Sequence, residues 1–166
     1  MKKRVLLFFV CIFMIGTSQK SKPDLRSTMS WIIGKLEGSY KVPYSDYRFQ
    51  NISYDYKKNI LYIRKDKNND PTYEIPLIEI NPNNIEVEIF ENELRGGMCA
   101  NITIYTVGGK GNITASYSDA TNNFKMRGLP IIIPDNTLRS EHDLPERLKL
   151  AFKSAIETLT GKTEVF

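Results

Sequence analysis

The sequence predicts an α+β protein in which a seven-stranded antiparallel meander lies between two helices. An apolar stripe with helical spacing is present at each end of residues 24–166, and the pattern between the two stripes alternates with a period of two. Groups of Gly, Asn and Pro interrupt the alternating part about every 8 to 12 residues, as the turns of an antiparallel sheet do. The predicted order is therefore helix, strands, helix.

The N-terminal helix is predicted over residues 24–37. Asp24 follows a proline and can cap the helix, because its carboxylate accepts hydrogen bonds from the backbone N–H groups of the first turn. Gly38 is a typical C-terminal end. The apolar stripe of this helix consists of Leu25, Met29, Ile32 and Leu36.

The C-terminal helix is predicted over residues 143–160. Asp143 and Glu146 have the spacing of a capping box, and Pro145 suits the first turn of a helix. Six residues form its apolar stripe: Leu148, Ala151, Phe152, Ala155, Ile156 and Leu159. A helix with such a stripe is expected to pack one face on the sheet.

Seven segments between the helices are predicted to be strands. They cover residues 47–56, 60–64, 72–80, 85–90, 98–107, 112–117 and 124–133. In the fourth strand, Ile85, Val87 and Ile89 alternate with Glu86 and Glu88, so one face is expected to be buried and the other wet. The glycine-rich residues 108–111 are predicted to be a hairpin turn.

Strands 47–133 followed by the helix 144–159 resemble the pleckstrin-homology-like (PH/GRAM-like) barrel domains, in which a C-terminal helix plugs one end of a bent sheet. The resemblance is architectural and implies a PH-like barrel here. Many members of that family bind phosphoinositides through basic residues on the first two strands and their turn. Lys57, Lys58 and Arg64 lie at comparable places, so the resemblance implies a candidate anion-binding site there. The alternative is that these are ordinary solvated charges.

Residues 1–18 have the pattern of a secretory signal peptide. Lys2, Lys3 and Arg4 precede an apolar run over residues 5–15, and a Gly-Thr-Ser exit follows it. A membrane-spanning helix needs about 20 apolar residues, so this run is too short for a permanent membrane anchor. We therefore expect cleavage after residue 18 and export to a periplasm, a cell surface or the extracellular medium.

The exported chain is expected to have a flexible leader over residues 19–23 and a single domain over residues 24–166. Removal of the three signal cations lowers the formal net charge from +4 to +1. Nucleic-acid binding depends on phosphate neutralisation by basic residues, so a nearly neutral chain predicts no nucleic-acid partner. Cys11 leaves with the signal, and Cys99 alone can form no internal disulfide.

Arrangements of residues suited to catalysis are few in this chain. It contains one histidine, His142, so a metal site that needs two or three imidazoles cannot be built, and no metal or cofactor is predicted. A Cys99 and His142 pair is the candidate for nucleophilic catalysis, but Cys99 lies in an apolar strand, where a lone cysteine is usually a small buried hydrophobe. The sequence favours a non-catalytic binding module. The alternative is a small exported hydrolase that uses carboxylates or the Cys/His pair.

A tyrosine-rich segment before the first predicted strand is the candidate ligand surface. Tyr40, Tyr44 and Tyr47 lie close together in sequence, and aromatic side chains can stack on sugars or peptides. We therefore predict an unidentified protein, peptide or glycan partner, bound by these tyrosines or by an exposed sheet edge. Tyr54 and Tyr56 are instead predicted to pack across the first hairpin, against Ile60 and Tyr62.

Overall fold

The computed structural model describes residues 24–39, 49–65, 71–91, 97–117 and 123–161. The predicted signal peptide and leader, residues 1–23, lie outside the described residues. Tyr40, Tyr44 and Tyr47 also lie outside them, so the tyrosine-rich ligand surface stays a prediction.

The α+β class is confirmed, with three helices and eight antiparallel strands in the described part of the chain. The helices are α1 (Leu25–Ser39), α2 (Asp135–Ser140) and α3 (Leu144–Thr160). The strands are β1 (Phe49–Asp55), β2 (Ile60–Lys65), β3 (Thr72–Pro76), β4 (Ile80–Glu91), β5 (Met98–Thr106), β6 (Ile113–Ser116), β7 (Phe124–Met126) and β8 (Gly128–Ile133). Both long helices begin and end within about two residues of their predicted bounds. The short helix α2 was not predicted.

The seven-stranded meander is corrected to two sheets, which do not close into a barrel in the described residues. One sheet has the strand order β1-β2-β3-β6-β7, and the other has the order β4-β5-β8. The predicted hairpin at residues 108–111 is wrong, because β5 and β6 are not paired with each other. Gly108 and Gly109, with φ of 65° and 64°, form a bend that carries the chain from one sheet to the other.

Three long strand segments pass through both sheets. The first segment consists of β3 and β4, joined by a short 3-10 turn at Leu77–Glu79. The second consists of β5 and β6, joined by the glycine bend, and the third of β7 and β8, joined at Arg127. The same neighbours pair on both sides of each bend: β3 with β6, β4 with β5, β6 with β7, and β5 with β8. The fold is thus a strongly bent antiparallel meander, divided into two sheets by the bends.

Thr106 links two of these bends. Its backbone N–H donates to the Arg127 carbonyl at 2.8 Å, and its hydroxyl contacts the carbonyls of Arg127 and Lys110. At the third bend, the Asn112 side-chain amide donates to the Glu79 carboxylate at 2.9 Å. These bonds satisfy polar groups that the interrupted strands leave without ladder partners.

The two long helices pack on the strands through their apolar stripes. Three residues of the α1 stripe, Met29, Ile32 and Leu36, are fully buried, as are Leu148, Phe152 and Ile156 of α3. Leu25, the first residue of the α1 stripe, is half-buried. The helix α3 packs on β4 and on the turn before it, while α1 packs on β1 and α3. The helical periodicity therefore identified the core faces of both long helices correctly.

The two predicted helix starts have different outcomes. Asp24 caps α1 as predicted, because the Ser27 backbone N–H donates to its carboxylate at 2.8 Å, and this bond lowers the pKa of Asp24. The capping box of α3 is wrong, since the Asp143 side chain makes no capping hydrogen bond. Asp143 instead lies 3.6 Å from the Arg147 guanidinium.

The acidic face of β4 is exposed as predicted. Glu86 and Glu88 are exposed, and Ile85 is buried on the opposite face. The predicted burial of Ile89 is wrong, since its side chain is 56% exposed near the end of the strand. In the described residues β4 is an edge strand that pairs with β5 alone.

Substitution of Glu86 and Glu88 by valine is expected to promote self-association. Pairing two copies along β4 places these carboxylates against those of the second copy, and like charges oppose strand pairing. Size-exclusion chromatography with light scattering should show a larger species for the double variant Glu86→Val/Glu88→Val. Glu86→Gln/Glu88→Gln serves as a polar control. A monomeric valine variant over the same concentration range would show that these charges do not protect the edge.

Candidate functional site

A groove between α1 and α3 is the candidate functional site. Its volume is about 470 Å³, and six residues line it: Ser27, Thr28 and Trp31 from α1, and Leu150, Ala151 and Ser154 from α3. We call this site the interhelix groove. Proteins bind small ligands and anchoring side chains in largely apolar concavities of roughly 300–1,000 Å³, which is the size range of this groove.

Thr28, Trp31 and Ser154 lie beside the apolar stripes of their helices, and Ala151 is a half-buried member of the α3 stripe. Thr28 and Trp31 immediately precede stripe residues of α1, just as Ala151 and Ser154 immediately precede Phe152 and Ala155 of α3. One residue turns an α-helix by about 100°, so a residue next to the stripe lies on the flank of the packed face. Where the two flanks face each other, they form the walls of the groove.

The Arg147 side chain lies against the indole ring of Trp31. Its guanidinium carbon is 5.2 Å from the ring centroid, within the range of a cation–π contact. Arg147 Nη1 also lies 3.5 Å from Glu141 Oε2. Glu141 accepts two hydrogen bonds from Lys35 Nζ, at 2.8 and 2.7 Å. These contacts join α1 to the start of α3 and hold Trp31 at the groove.

Thr28 supplies a polar group to the groove wall. Its backbone N–H donates to the Asp24 carbonyl at 3.0 Å, and the residue is only 7% exposed. The Thr28 hydroxyl makes no hydrogen bond to any residue that the structure describes. The neighbouring Ser27 hydroxyl differs, because it donates to the Asp24 carbonyl at 3.1 Å. The hydroxyl of Thr28 is therefore available to a bound group.

The structure does not bring the three predicted basic residues into one site. Lys57 and Lys58 lie in the turn between β1 and β2, where their backbone N–H groups donate to Asp55 Oδ1 at 2.8 and 3.1 Å. Arg64 lies near the other end of β2, opposite Thr72. Four residues of strand from Ile60 to Arg64 span about 13 Å. A ligand that contacts all three cations would have to bridge the whole hairpin.

The tyrosines of the first hairpin pack together, but not as predicted in detail. The rings of Tyr54 and Tyr56 meet edge to face, with centroids 4.7 Å apart, and Arg26 of α1 lies over the Tyr56 ring. Tyr54 is opposite Leu61, whereas Tyr62 is opposite Ser53 and so lies on the other face of the sheet. The predicted contact between Tyr54 and Tyr62 is wrong. Burial raises the pKa of the Tyr54 hydroxyl to about 12.

Cys99 and His142 lie in different environments. Cys99 is 5% exposed in β5, while His142 is exposed between α2 and α3. The described hydrogen bonds include none between them. A search of the described residues finds no cluster of three or more His, Cys, Asp or Glu side chains that could hold a metal ion.

Sequence reasoning missed the interhelix groove, although one signal pointed to it. Leu150 is apolar but falls outside the buried stripe of α3, and its side chain is 62% exposed. A large apolar residue next to, rather than within, a packed stripe indicates a contact surface on the flank of a helix. Trp31, the single tryptophan of the chain, also falls outside the apolar stripe of its helix, α1.

No protein-family model matches this chain, and neither curated proteins nor solved structures show a significant match to it. The resemblance to pleckstrin-homology-like barrels therefore stays a prediction. None of the helices in the described ranges combines the length and the apolar character needed to cross a membrane.

Proposed function

We propose that this chain is an exported, non-catalytic binding module, and that the interhelix groove receives an apolar side chain of a protein or peptide partner. The groove itself carries the proposal. Trp31, Leu150 and Ala151 offer apolar surface, and the three hydroxyl-bearing residues beside them offer hydrogen bonds. This mixture of apolar walls and a few polar groups is typical of ligand sites.

Export supports an extracellular or periplasmic partner for this module. The proposal of export depends on the signal-like residues 1–18. Binding is preferred to hydrolysis because the candidate nucleophile Cys99 is buried in a strand and has no hydrogen bond to His142 in the described structure. A cysteine that uses a histidine as its base must lie within hydrogen-bond reach of that histidine.

Peptide selection on residues 19–166 tests this function. A phage-displayed peptide library should yield peptides with a shared apolar residue, and their binding should change the fluorescence of Trp31. Because the chain contains one tryptophan, the fluorescence reports on the groove alone. Peptides without tryptophan are needed for this measurement.

A variant with a filled groove distinguishes groove binding from binding elsewhere. In Ala151→Phe the larger side chain occupies the groove, and we expect at least about a tenfold loss of affinity, equivalent to about 1.4 kcal/mol. Lys149→Phe adds the same ring to the other flank of α3 and should leave affinity within about twofold. Selected peptides that bind Ala151→Phe as tightly as the original chain would overturn the assignment of the groove.

A further inference from the structure

We infer that the outer edge of β4 binds an extended peptide in which basic and apolar residues alternate, and that this peptide adds a strand to the sheet β4-β5-β8. Basic side chains of the added strand lie opposite Glu86 and Glu88. Its apolar side chains lie opposite Val87 and Ile89. No residue of β4 lines the interhelix groove, so this is a second contact surface that does not depend on the groove.

Among the sheet edges that the structure describes, β4 is the one best suited to an added strand. It pairs with β5 alone, and from Ile85 to Glu91 the pairing has no register shift over about 20 Å of strand. The pairing of β1 contains a register shift, β7 has three residues, and β8 has Pro130 within it. An edge strand presents backbone N–H and C=O groups with which a further strand can pair.

The charged residues of the sheet β4-β5-β8 are all acidic. Its strands contain Glu86, Glu88 and Glu91 and no Lys or Arg. Burial raises the pKa of the Tyr105 hydroxyl, and the charges of Glu86 and Glu88 raise it further. Neither of these two carboxylates has an ion pair with a described residue. Opposite charges facing each other across a strand pair are favourable and like charges are not, so the charges that oppose pairing of two β4 strands favour a basic partner.

The other face of β4 indicates why the peptide should alternate. Val87 is half-buried, and the Ile89 side chain is 56% exposed. Successive side chains of a strand point to opposite faces, so every second residue of an added strand lies on the face of Val87 and Ile89. Apolar residues at these places remove apolar surface of Ile89 from water. Since Glu88 and Ile89 are both exposed, this part of β4 is open to solvent on both faces.

Titration with short peptides tests the charge and the alternation. The first peptide is an acetylated six-residue amide in which lysine and valine alternate. A second has glutamate in place of lysine, and a third has its three lysines before its three valines. Binding to residues 19–166 is followed by NMR through the backbone amide signals of β4. We expect the first peptide to bind at least about fivefold more tightly than either of the others, equivalent to about 1 kcal/mol.

Charge reversal in the protein tests the pairing with the two carboxylates. Glu86→Lys/Glu88→Lys should bind the glutamate peptide more tightly than the lysine peptide, a reversal that a loss of structure cannot produce. Glu86→Gln/Glu88→Gln should bind the two peptides within about twofold of each other. Glu146→Lys is the control, because Glu146 is an exposed carboxylate of α3. It should leave affinity for the lysine peptide within about twofold.

Methylation of peptide nitrogens tests for backbone pairing. Successive residues of a strand direct their N–H groups to opposite edges. Of two peptides, one methylated at every lysine nitrogen and one at every valine nitrogen, we therefore expect one to lose binding and the other to retain it.

Three results would overturn the inference. They are an unchanged preference for the lysine peptide in Glu86→Lys/Glu88→Lys, equal binding of the two methylated peptides, and no shift of the β4 signals at millimolar lysine peptide. Ala151→Phe, which fills the groove, should leave binding at β4 within about twofold. Failure of the β4 edge and failure of the groove are thus detected separately.

Discussion

Substitution of Phe152 by alanine is expected to lower the free energy of unfolding by about 3–5 kcal/mol. Phe152 is a fully buried side chain at the middle of α3, with no exposed surface. Removal of its ring takes away the hydrophobic contribution of that surface and leaves a cavity among residues that cannot fully close it. Urea unfolding followed by circular dichroism measures the change.

Leu150→Ala is the matched control for this prediction. Leu150 lies two residues away on the same helix, but its side chain is 62% exposed, so we expect a loss of less than about 0.5 kcal/mol. The two variants should also differ in binding, since Leu150 lines the groove and Phe152 does not. Leu150→Ala should therefore weaken peptide binding without altering stability. Equal unfolding free energies for the two variants would contradict the core position of Phe152.

The two long helices were predictable because their signals are local. In α1, the spacing of Met29, Ile32 and Leu36 alone identifies the buried face, and Asp24 marks the start. Such a stripe predicts both the helix and the face that is buried, and it does so without information on the element that packs against that face. The predicted capping role of Asp143 is wrong, because its carboxylate makes no capping bond and lies instead near Arg147, one turn further along the helix.

The division into two sheets was not predictable, because the same residues suit a hairpin turn and a bend within a strand. Residues 81–84 read as a turn but form an irregular part of β4, where the pairing register with β5 shifts between Ile80 and Ile85. Gly108 and Gly109 read as a hairpin but join strands in different sheets. Whether such residues form a hairpin turn or a bend depends on which distant strands pair with each other. The local sequence does not specify that pairing.

The interhelix groove depends on contacts between residues far apart in sequence. Trp31 and Arg147 meet across two helices, at a distance that neither helix specifies alone. The sequence predicts that Thr28 lies in a helix. It does not show that the Thr28 hydroxyl lacks a hydrogen-bond partner, because this depends on which residues of other elements lie near it. The prediction that Tyr40, Tyr44 and Tyr47 form a ligand surface has a different basis. It depends on the type of these residues and their closeness in sequence, and neither specifies how the side chains are arranged.

Gly128 allows the close approach of an aromatic ring at the end of the second sheet, where β8 begins. It pairs with Tyr105 across β5 and β8, and a Cβ at this position would lie 2.7 Å from Cδ1 of the Tyr105 ring. The same Cβ would lie 3.2 Å from the Ile104 carbonyl oxygen. A ring packed over a glycine on a neighbouring strand protects the backbone there and fixes the register of the pair.

Gly128→Val is therefore expected to lower the free energy of unfolding by about 1–3 kcal/mol, the usual range for overpacking. The strain should have two parts, because the ring of Tyr105 can swing away while the Ile104 carbonyl belongs to the backbone and cannot. In a Tyr105→Ser background, Gly128→Val should therefore lower the free energy of unfolding by a smaller amount, but the loss should not disappear. Urea unfolding of the two single variants and the double variant gives the double-mutant cycle. The Tyr105→Ser single variant measures the effect of losing the hydrogen bond that Tyr105 donates to Glu86. A cost that is identical in both backgrounds would show that the backbone contact, rather than the aromatic ring, requires glycine at this position.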